Sequence, residues 1–477
     1  MNKEYFQGKK ITIMGLGLHG GGLHIARWLA RQGARLTVTD LKNKKELETS
    51  LKKLKPYKNI KYVLGRHRAE DFQQADLIIQ NPGVRRESKY LKLVRRYKIP
   101  VENEASLFFK LSPAPIIGVT GTRGKSTTTS LLYEIFKKHN PKTLMAGNIR
   151  QVVMFEVIDK VKLKTPVILE LSSWQLETLD DYQLSPHISL ITNIYPDHLN
   201  RYKNLQDYVR AKKIIFKHQQ PDDLIVLNRD NFETKKLGKE VPGRRYWFSK
   251  KYFAEENGVF IKKGLICFRQ NGREIRIIKV KDVTIKGEHN LENVLGAVAV
   301  ARISAIPVTV IKSVLKKYPG LDSRQELIRT YQGVKFYNDT TATTPEAVIA
   351  ALKTLAGNKN VILIAGGSDK KLAYGNLARA IEQSVKVLIL LPGTATKKII
   401  KALHPTGDRP QGEKRKSIKT NGLFTTVDNI QNAVRLAFSA ADKGDIVLLS
   451  PGAASFGLFV NEFDRGQQFI ETVQKLK

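Results

Sequence analysis

The twelve residues Gly118–Thr129, GVTGTRGKSTTT, constrain this chain more than any other stretch. They follow the apolar run Ala114–Val119 and precede a segment, Ser130–Lys138, that reads as a helix. A strand that feeds a helix through glycines turns backbone amides and a helix N-terminus toward one point, which suits a phosphate. Gly121 and Gly124 let the backbone approach an anion closely, Lys125 can reach the outer phosphates, and Ser126 can offer its hydroxyl to Mg2+. The spacing departs from the general GxxxxGK[ST] pattern, because the position five before Gly124 is Val119. A stray Gly-Lys-Ser in a surface turn would lack the strand before it and the helix after it. A bound nucleoside triphosphate is therefore the first expectation.

A second glycine loop, Gly15-Leu-Gly17-Leu-His-Gly20, also follows a strand and opens a helix, with Asp40 at the end of the next strand. It could seat a dinucleotide or any pyrophosphate-bearing ligand. Two phosphate loops in one chain argue against a plain dehydrogenase.

Around these loops the hydrophobic pattern alternates between strands and helices. Residues 1–109 carry candidate strands at Ile11–Met14, Leu36–Thr39, Ile60–Val63, Asp76–Ile79 and Ile99–Val101. A second α/β unit starts at Pro115, with strands near Thr143–Met145, Val167–Leu171, Ile188–Thr192 and Leu224–Leu227. From Arg244 to Lys286 the pattern becomes short and strand-like, with a hairpin turn at Asn271-Gly272. A helical segment, Glu288–Ile306, follows. The third unit alternates again, with strands at Val334–Asn338, Val361–Ala365, Val387–Leu391 and Ile446–Leu449.

At 477 residues the chain is too long for one ordinary core, and its 42% apolar content fits a folded protein. Cys267 is the sole cysteine, which excludes a disulfide framework and a cysteine-rich zinc site. No apolar run is long enough to span a bilayer and the N-terminus has no apolar signal region, so a cytoplasmic protein is expected. The formal charge of +37 invites a nucleic-acid-binding reading. The basic residues are spread along the whole chain, however, and the densest loop, 407–422, lacks interleaved aromatics. A generally basic surface that favours small anionic substrates is the preferred account.

Five stretches in order carry a family resemblance: GTRGKSTT (121–128), ELSSWQLE (170–177), TNIYPDHLNRY (192–202), GEHNLENVLGAVAVA (287–301) and GLDSRQE (320–326). Together they resemble the Mur ligases and folylpolyglutamate synthases, ATP-dependent enzymes that join an amino acid to a carboxylate. NDTTATTPEA (338–347), AGGSDKK (365–371) and LLSPGAASFGLFVNEFDRG (448–466) are most similar to the Mur branch that adds glutamate, most often D-glutamate, to UDP-N-acetylmuramoyl-L-alanine. The resemblance covers essentially the whole chain. It implies three α/β domains: a Rossmann-like UDP-binding domain over 1–109, a central P-loop-type ATPase domain with an added β-rich section over 110–318, and a C-terminal Rossmann-like domain over 319–477.

The resemblance also implies a chemistry. The acceptor carboxylate takes the γ-phosphoryl of ATP, the amine attacks the acyl phosphate, and phosphate leaves. Lys125 would bridge the outer phosphates, and Gly121, Thr122, Gly124, Ser126 and Thr127 would line the loop. Ser126 and Glu170 would hold one Mg2+, while His198 and a carbamylated Lys212 would hold a second. Lys213 beside it leaves that register open by one residue. Asn290 and Asn293 would flank the adenine, and Arg324 and Asp339 would reach ATP from the C-terminal domain. Gly17, Leu18, His19, Asp40, Asn81, Asn148 and Ser172 would contact the UDP-sugar; Thr343, Lys370, Ser455 and Glu462 would hold the amino acid. A monomer is expected by the same analogy.

Three positions depart from the glutamate-adding pattern: Thr341 stands for the usual lysine, Asp322-Ser323 for Pro-His, and Glu462 for a phenylalanine. They surround the amino-acid pocket rather than the phosphate loop. L-glutamate or another amino acid remains an alternative substrate. A folylpolyglutamate synthase is disfavoured because those enzymes begin with the ATP domain.

Overall fold

The computed structural model describes residues 2–17, 20–149, 152–198, 201–404 and 424–476. Leu18, His19 and the basic loop 407–422 lie outside the described residues. The described chain forms three sheets distributed over two compact units, the first holding residues 1–284 and 290–318 and the second residues 285–289 and 319–477.

The first unit contains two sheets. Strands β1 (Lys10–Met14), β2 (Arg35–Asp40), β3 (Ile60–Leu64), β4 (Leu77–Gln80) and β5 (Val101–Glu102) run parallel in the order β3-β2-β1-β4-β5. Neighbours on either side of β1 leave it in opposite directions, so its C-terminal end is a switch point where a crevice opens. The first glycine loop sits there.

The central sheet comprises β6 (Ile116–Thr120), β7 (Leu144–Gly147), β8 (Val167–Glu170), β9 (Ile188–Ile191), β10 (Leu224–Asn228), β11 (Arg244–Ser249), β12 (Gly258–Lys262), β13 (Leu265–Gln270) and β14 (Arg273–Lys279). Its order is β14-β13-β12-β11-β10-β9-β6-β8-β7. Strand β6 is buried at every position, because a parallel strand covered on both faces needs a continuous apolar run rather than alternation. It lies between β8 and β9, again a switch point, and the phosphate loop follows it. The strand-like section expected after Arg244 extends this sheet, with β13 antiparallel to both β12 and β14. The β13–β14 turn takes φ 50° at Asn271 and 76° at Gly272, the two positive values that a two-residue hairpin needs.

The second unit holds β15 (Glu326–Tyr331), β16 (Val334–Asn338), β17 (Val361–Gly366), β18 (Val385–Leu391), β19 (Phe424–Thr426) and β20 (Ile446–Leu449), ordered β15-β16-β20-β17-β18-β19. Only β15 runs antiparallel to its neighbour. Apolar clusters centred on Leu363, Leu390 and Leu448 on one face and Phe336, Ile364 and Val447 on the other sandwich the sheet. Among the described residues no helix is long and apolar enough to cross a membrane.

Candidate functional site

The helix after β6 begins at Lys125, five residues before the segment that periodicity alone marks as helical, and runs to His139. Thr127, Thr128 and Thr129 have modest helix propensity, but all three are buried, and packing overrides propensity. Gly124 caps the helix with φ 82° and makes no side-chain cap hydrogen bond. A positively polarised helix end therefore faces the loop.

The loop is held from beneath by residues that motif reading did not single out. Asn193 accepts the amide of Thr122 on its carbonyl at 2.8 Å and that of Arg123 on Oδ1 at 2.9 Å. Thr192 Oγ1 donates to the Arg123 carbonyl at 2.6 Å. Asn293 presses on the loop from above: a Cβ on Gly124 would lie 2.0 Å from its Oδ1, and one on Gly121 would lie 1.9 Å from Thr192 Oγ1. Asn290 Oδ1 accepts from Asn293 Nδ2 at 3.4 Å, so these asparagines form one polar ridge beside the loop.

Lys125 folds over the loop, its Nζ 3.0 Å from the Gly121 carbonyl and 3.1 Å from that of Thr122. Lys212 arrives from the helix Leu205–Lys217 and is 1% exposed. Its Nζ donates to the Gly121 carbonyl at 2.8 Å and rests 4.7 Å from the Tyr208 ring centroid. Burial, and then the charge of Lys125, push the Lys212 ammonium well below its ordinary range, against the pull of Asp197 and Glu170. Lys213, by contrast, pairs with Glu240 at 2.6 Å away from the loop. Tyr208 stands four residues before Lys212 on the same helix, a spacing that would have flagged it.

Glu170 ends β8 with 1% exposure and accepts Asn148 Nδ2 at 3.2 Å, while the Asn148 amide donates to the Glu170 carbonyl at 2.8 Å. His198 adopts φ 54°, its ring 5.4 Å from Trp174 and 6.0 Å from Tyr208. Burial lowers its imidazolium pKa against the opposing charge of Asp197, with Lys125 and Arg201 adding to the lowering, which favours the neutral ring and its lone pair. Ser172 caps the helix Ser173–Asp181 through its hydroxyl, a structural duty beside whatever it does for a substrate. Among the described residues no three His, Cys, Asp or Glu side chains gather into a metal cluster. Mg2+ commonly takes one or two carboxylates and completes its shell with phosphates and water. One carboxylate, one hydroxyl and a neutral imidazole fit an ion that arrives with a nucleotide rather than one held in a closed cage.

At the first glycine loop, the Gly17 amide donates to Asp40 Oδ2 at 3.0 Å and the Lys42 amide to Oδ1 at 2.9 Å. Asn81 packs beneath, its side chain within 3.1 Å of where a Cβ on Gly15 or Gly17 would stand. The tightest glycine is one that the pattern missed. A Cβ on Gly22 would lie 2.4 Å from the Leu16 carbonyl oxygen, so the first turn of the helix Gly21–Arg31 presses on the loop itself.

In the second unit the candidate residues follow the C-terminal ends of β16, β17 and β20, except Arg324, which precedes β15. Asp339 is buried, accepting from Ser450 Oγ at 2.7 Å and the Gln325 amide at 3.2 Å, and burial pushes its carboxyl up to about 7. Arg324 is exposed. Lys370 Nζ donates to Thr343 Oγ1 at 2.9 Å, joining those two candidates. Ser455 is buried in the loop after β20. Glu462 starts the helix Glu462–Gln474, where its carbonyl accepts Thr340 Oγ1 at 2.7 Å. Thr341 Oγ1 donates to the Ser323 carbonyl at 2.9 Å, so two of the departing positions bond to each other. Arg465, unmarked by motif reading, is fully buried and donates to the Thr340 carbonyl at 2.8 Å.

Known proteins match this arrangement along its length. Residues 9–102 match the Mur ligase MurD-like N-terminal domain, 119–301 the Mur ligase middle domain, and 323–452 the Mur ligase glutamate ligase domain. The UDP-N-acetylmuramoylalanine--D-glutamate ligase of Roseiflexus sp. (strain RS-1) is 41% identical, covering 98% of both chains. The fold resembles that of the UDP-N-acetylmuramate-alanine ligase MurC of Thermotoga maritima, with TM-score 0.62, 20% identity and coverage of 98% and 100%. It also resembles the MurF ligase of Thermotoga maritima in complex with ADP, with TM-score 0.56, 15% identity and coverage of 99% and 97%.

Proposed function

This chain belongs to the Mur ligase family, and on that premise we propose that it joins D-glutamate to UDP-N-acetylmuramoyl-L-alanine in peptidoglycan precursor synthesis, in the cytoplasm. It is an ATP-dependent, ADP-forming ligase that uses Mg2+. The observation that carries the substrate assignment is the 41% identity to a ligase of that name across 98% of the chain.

The proposed division of labour follows the three sheets, with domains over 1–109, 110–318 and 319–477 for the UDP-sugar, ATP and the amino acid. Gly17, Asp40, Asn81, Asn148 and Ser172 would orient the UDP-sugar so that its alanyl carboxylate meets the γ-phosphate. Lys125, lying over the loop carbonyls, would swing onto the β- and γ-phosphates as they arrive. Asn290 and Asn293 would flank the adenine, and Arg324 and Asp339 would contact the nucleotide. Thr343, Lys370, Ser455 and the backbone at Glu462 would bind the two carboxylates of glutamate, whose amine attacks the acyl phosphate. Anionic groups must meet here, so cations and oriented dipoles supply most of the rate.

Two ions are proposed, one at Ser126 and Glu170 and one at His198 and Lys212; Mg2+ there would neutralise charge on the transferring phosphoryl group. The low basicity of Lys212 supports carbamylation, because a neutral amine can add CO2, forming an N–C bond and releasing one proton. The resulting carbamate would be anionic, as a metal ligand must be.

ADP release should require ATP, Mg2+, UDP-N-acetylmuramoyl-L-alanine and D-glutamate together. Equal turnover with L-glutamate would break the stereochemical assignment, and turnover without the UDP-sugar would break the substrate assignment.

A further inference from the structure

The ends of the motifs that carry Glu170 and His198 meet in a cluster that the chemistry above does not use. Glu177 accepts Arg201 Nη2 on Oε2 at 2.9 Å and the Tyr202 hydroxyl on Oε1 at 2.7 Å. The other terminal nitrogen, Arg201 Nη1, donates to the Pro82 carbonyl at 3.1 Å. The guanidinium also stacks 4.7 Å from the Trp174 ring centroid, and that ring meets His198 edge-on at 5.4 Å. Pro82 follows Asn81, which packs beneath Gly15 and Gly17. One side chain thus touches the turn of the sugar-nucleotide loop and, through one indole, His198.

We propose that Arg201 is a positioning residue that sets the spacing between the UDP-sugar turn Asn81–Gly83 and His198. This rests on the ligase reading above. The two ends belong to different sheets, with Pro82 just beyond β4 and His198 beyond β9, so no strand ladder fixes their separation. An acceptor carboxylate carried by a ligand anchored at one end must meet phosphate anchored at the other. An error of about 1 Å in such an approach costs on the order of a hundredfold in rate. The joint is shielded, with side-chain exposures of 11% for Arg201 and 14% for Glu177. Only a planar fork can serve a carboxylate, a carbonyl and a ring face at once; an ammonium cannot.

Arg86 supplies the control. Its Nη1 donates to the Glu177 carbonyl at 3.0 Å and its Nη2 pairs with Asp181, so it crosses the same seam to the same helix on partners other than Pro82 and Trp174. The test is steady-state turnover of wild type, R201M, R201K and R86M, with calorimetric titration of each by UDP-N-acetylmuramoyl-L-alanine and, separately, by Mg-ADP, alongside thermal unfolding. Both R201 variants should lose kcat by about tenfold or more while affinity for each ligand alone stays within about threefold, and R86M should keep kcat within about twofold. Unchanged kcat in a folded R201 variant, a loss of ligand affinity that accounts for the whole loss of turnover, or an equal loss of kcat in R86M, would overturn the proposal. If R201M does not fold, R201K decides by the same measurements. A wild-type protein that does not bind the UDP-sugar would instead overturn the ligase reading.

Discussion

Lys125 and Lys212 both donate to the carbonyl oxygen of Gly121, at 3.0 and 2.8 Å. One carbonyl carries only a partial negative charge, so two ammonium groups there would repel each other. Burial of Lys212 resolves the conflict by favouring its neutral amine, leaving Lys125 as the cation for incoming phosphate.

Lys212→Met should therefore stabilise the apo protein while abolishing turnover. In the unfolded chain Lys212 is protonated below its ordinary value of 10.5, whereas the folded site resists that proton. The unfolded state binds more protons, so wild-type stability falls as pH is lowered through the window beneath that value. The variant should gain on the order of 1–3 kcal/mol, more at pH 6 than at pH 9, as read by urea unfolding at both. A gain equal at both pH values would show that Lys212 is charged in the fold.

Gly124→Ala should raise the Michaelis constant for ATP by about tenfold or more and cost on the order of 1–3 kcal/mol of stability. The new methyl group would stand 2.0 Å from Asn293 Oδ1 and impose a side chain on φ 82°. Adding Asn293→Ala removes the collision and keeps the backbone strain, so it should recover only part of the stability. Full recovery in thermal unfolding of the double variant would assign the whole cost to the collision.

A substitution at Gly22 should separate the two nucleotide loops. Gly22→Ala puts a methyl group 2.4 Å from the Leu16 carbonyl, a backbone atom that cannot rotate away. Affinity for the UDP-sugar should fall by about tenfold, and the Michaelis constant for ATP should hold. Steady-state kinetics with each substrate varied in turn checks both.

Asp339→Asn should stabilise the protein more at pH 8 than at pH 5. Burial raises the folded pKa to about 7 from an ordinary 3.8, so between those values the folded state binds the extra proton and stability falls as pH rises. An amide keeps Oδ1 for the Gln325 amide, presents Nδ2 to the Ser450 hydroxyl, which can turn to accept it, and carries no charge to desolvate. The advantage at pH 8 over pH 5 should be on the order of 1–3 kcal/mol by urea unfolding, with turnover reduced if Asp339 contacts the nucleotide.

Most strands were legible because their apolar runs are long and bounded: Val361–Ala365 was expected and Val361–Gly366 is found. Strand β15 escaped because an edge strand is half solvated, and Leu327 within it is 50% exposed. Strand β19 has three residues, too few to show a period. The candidate residues of the phosphate loop could be named because strand, glycines, lysine and helix are contiguous. Asn193 and Arg465 could not be ranked above their neighbours, since nothing local distinguishes a buried polar group that supports a site from one that faces water.

What the amino-acid order determined by itself was local. It settled where a glycine must bend the chain, as at Gly124 and Gly272, and which apolar runs are buried, though not that the helix after β6 starts as early as Lys125. Dihedral preference, capping and the helix dipole act over a few residues, so they can be read along the chain. Tertiary structure alone decided that Lys212 loses basicity while Lys213 pairs with Glu240, that Asn293 closes on Gly124, and that Glu177 gathers Arg201. Desolvation and close packing exist only once distant segments meet and exclude water, and no short stretch of sequence contains that event.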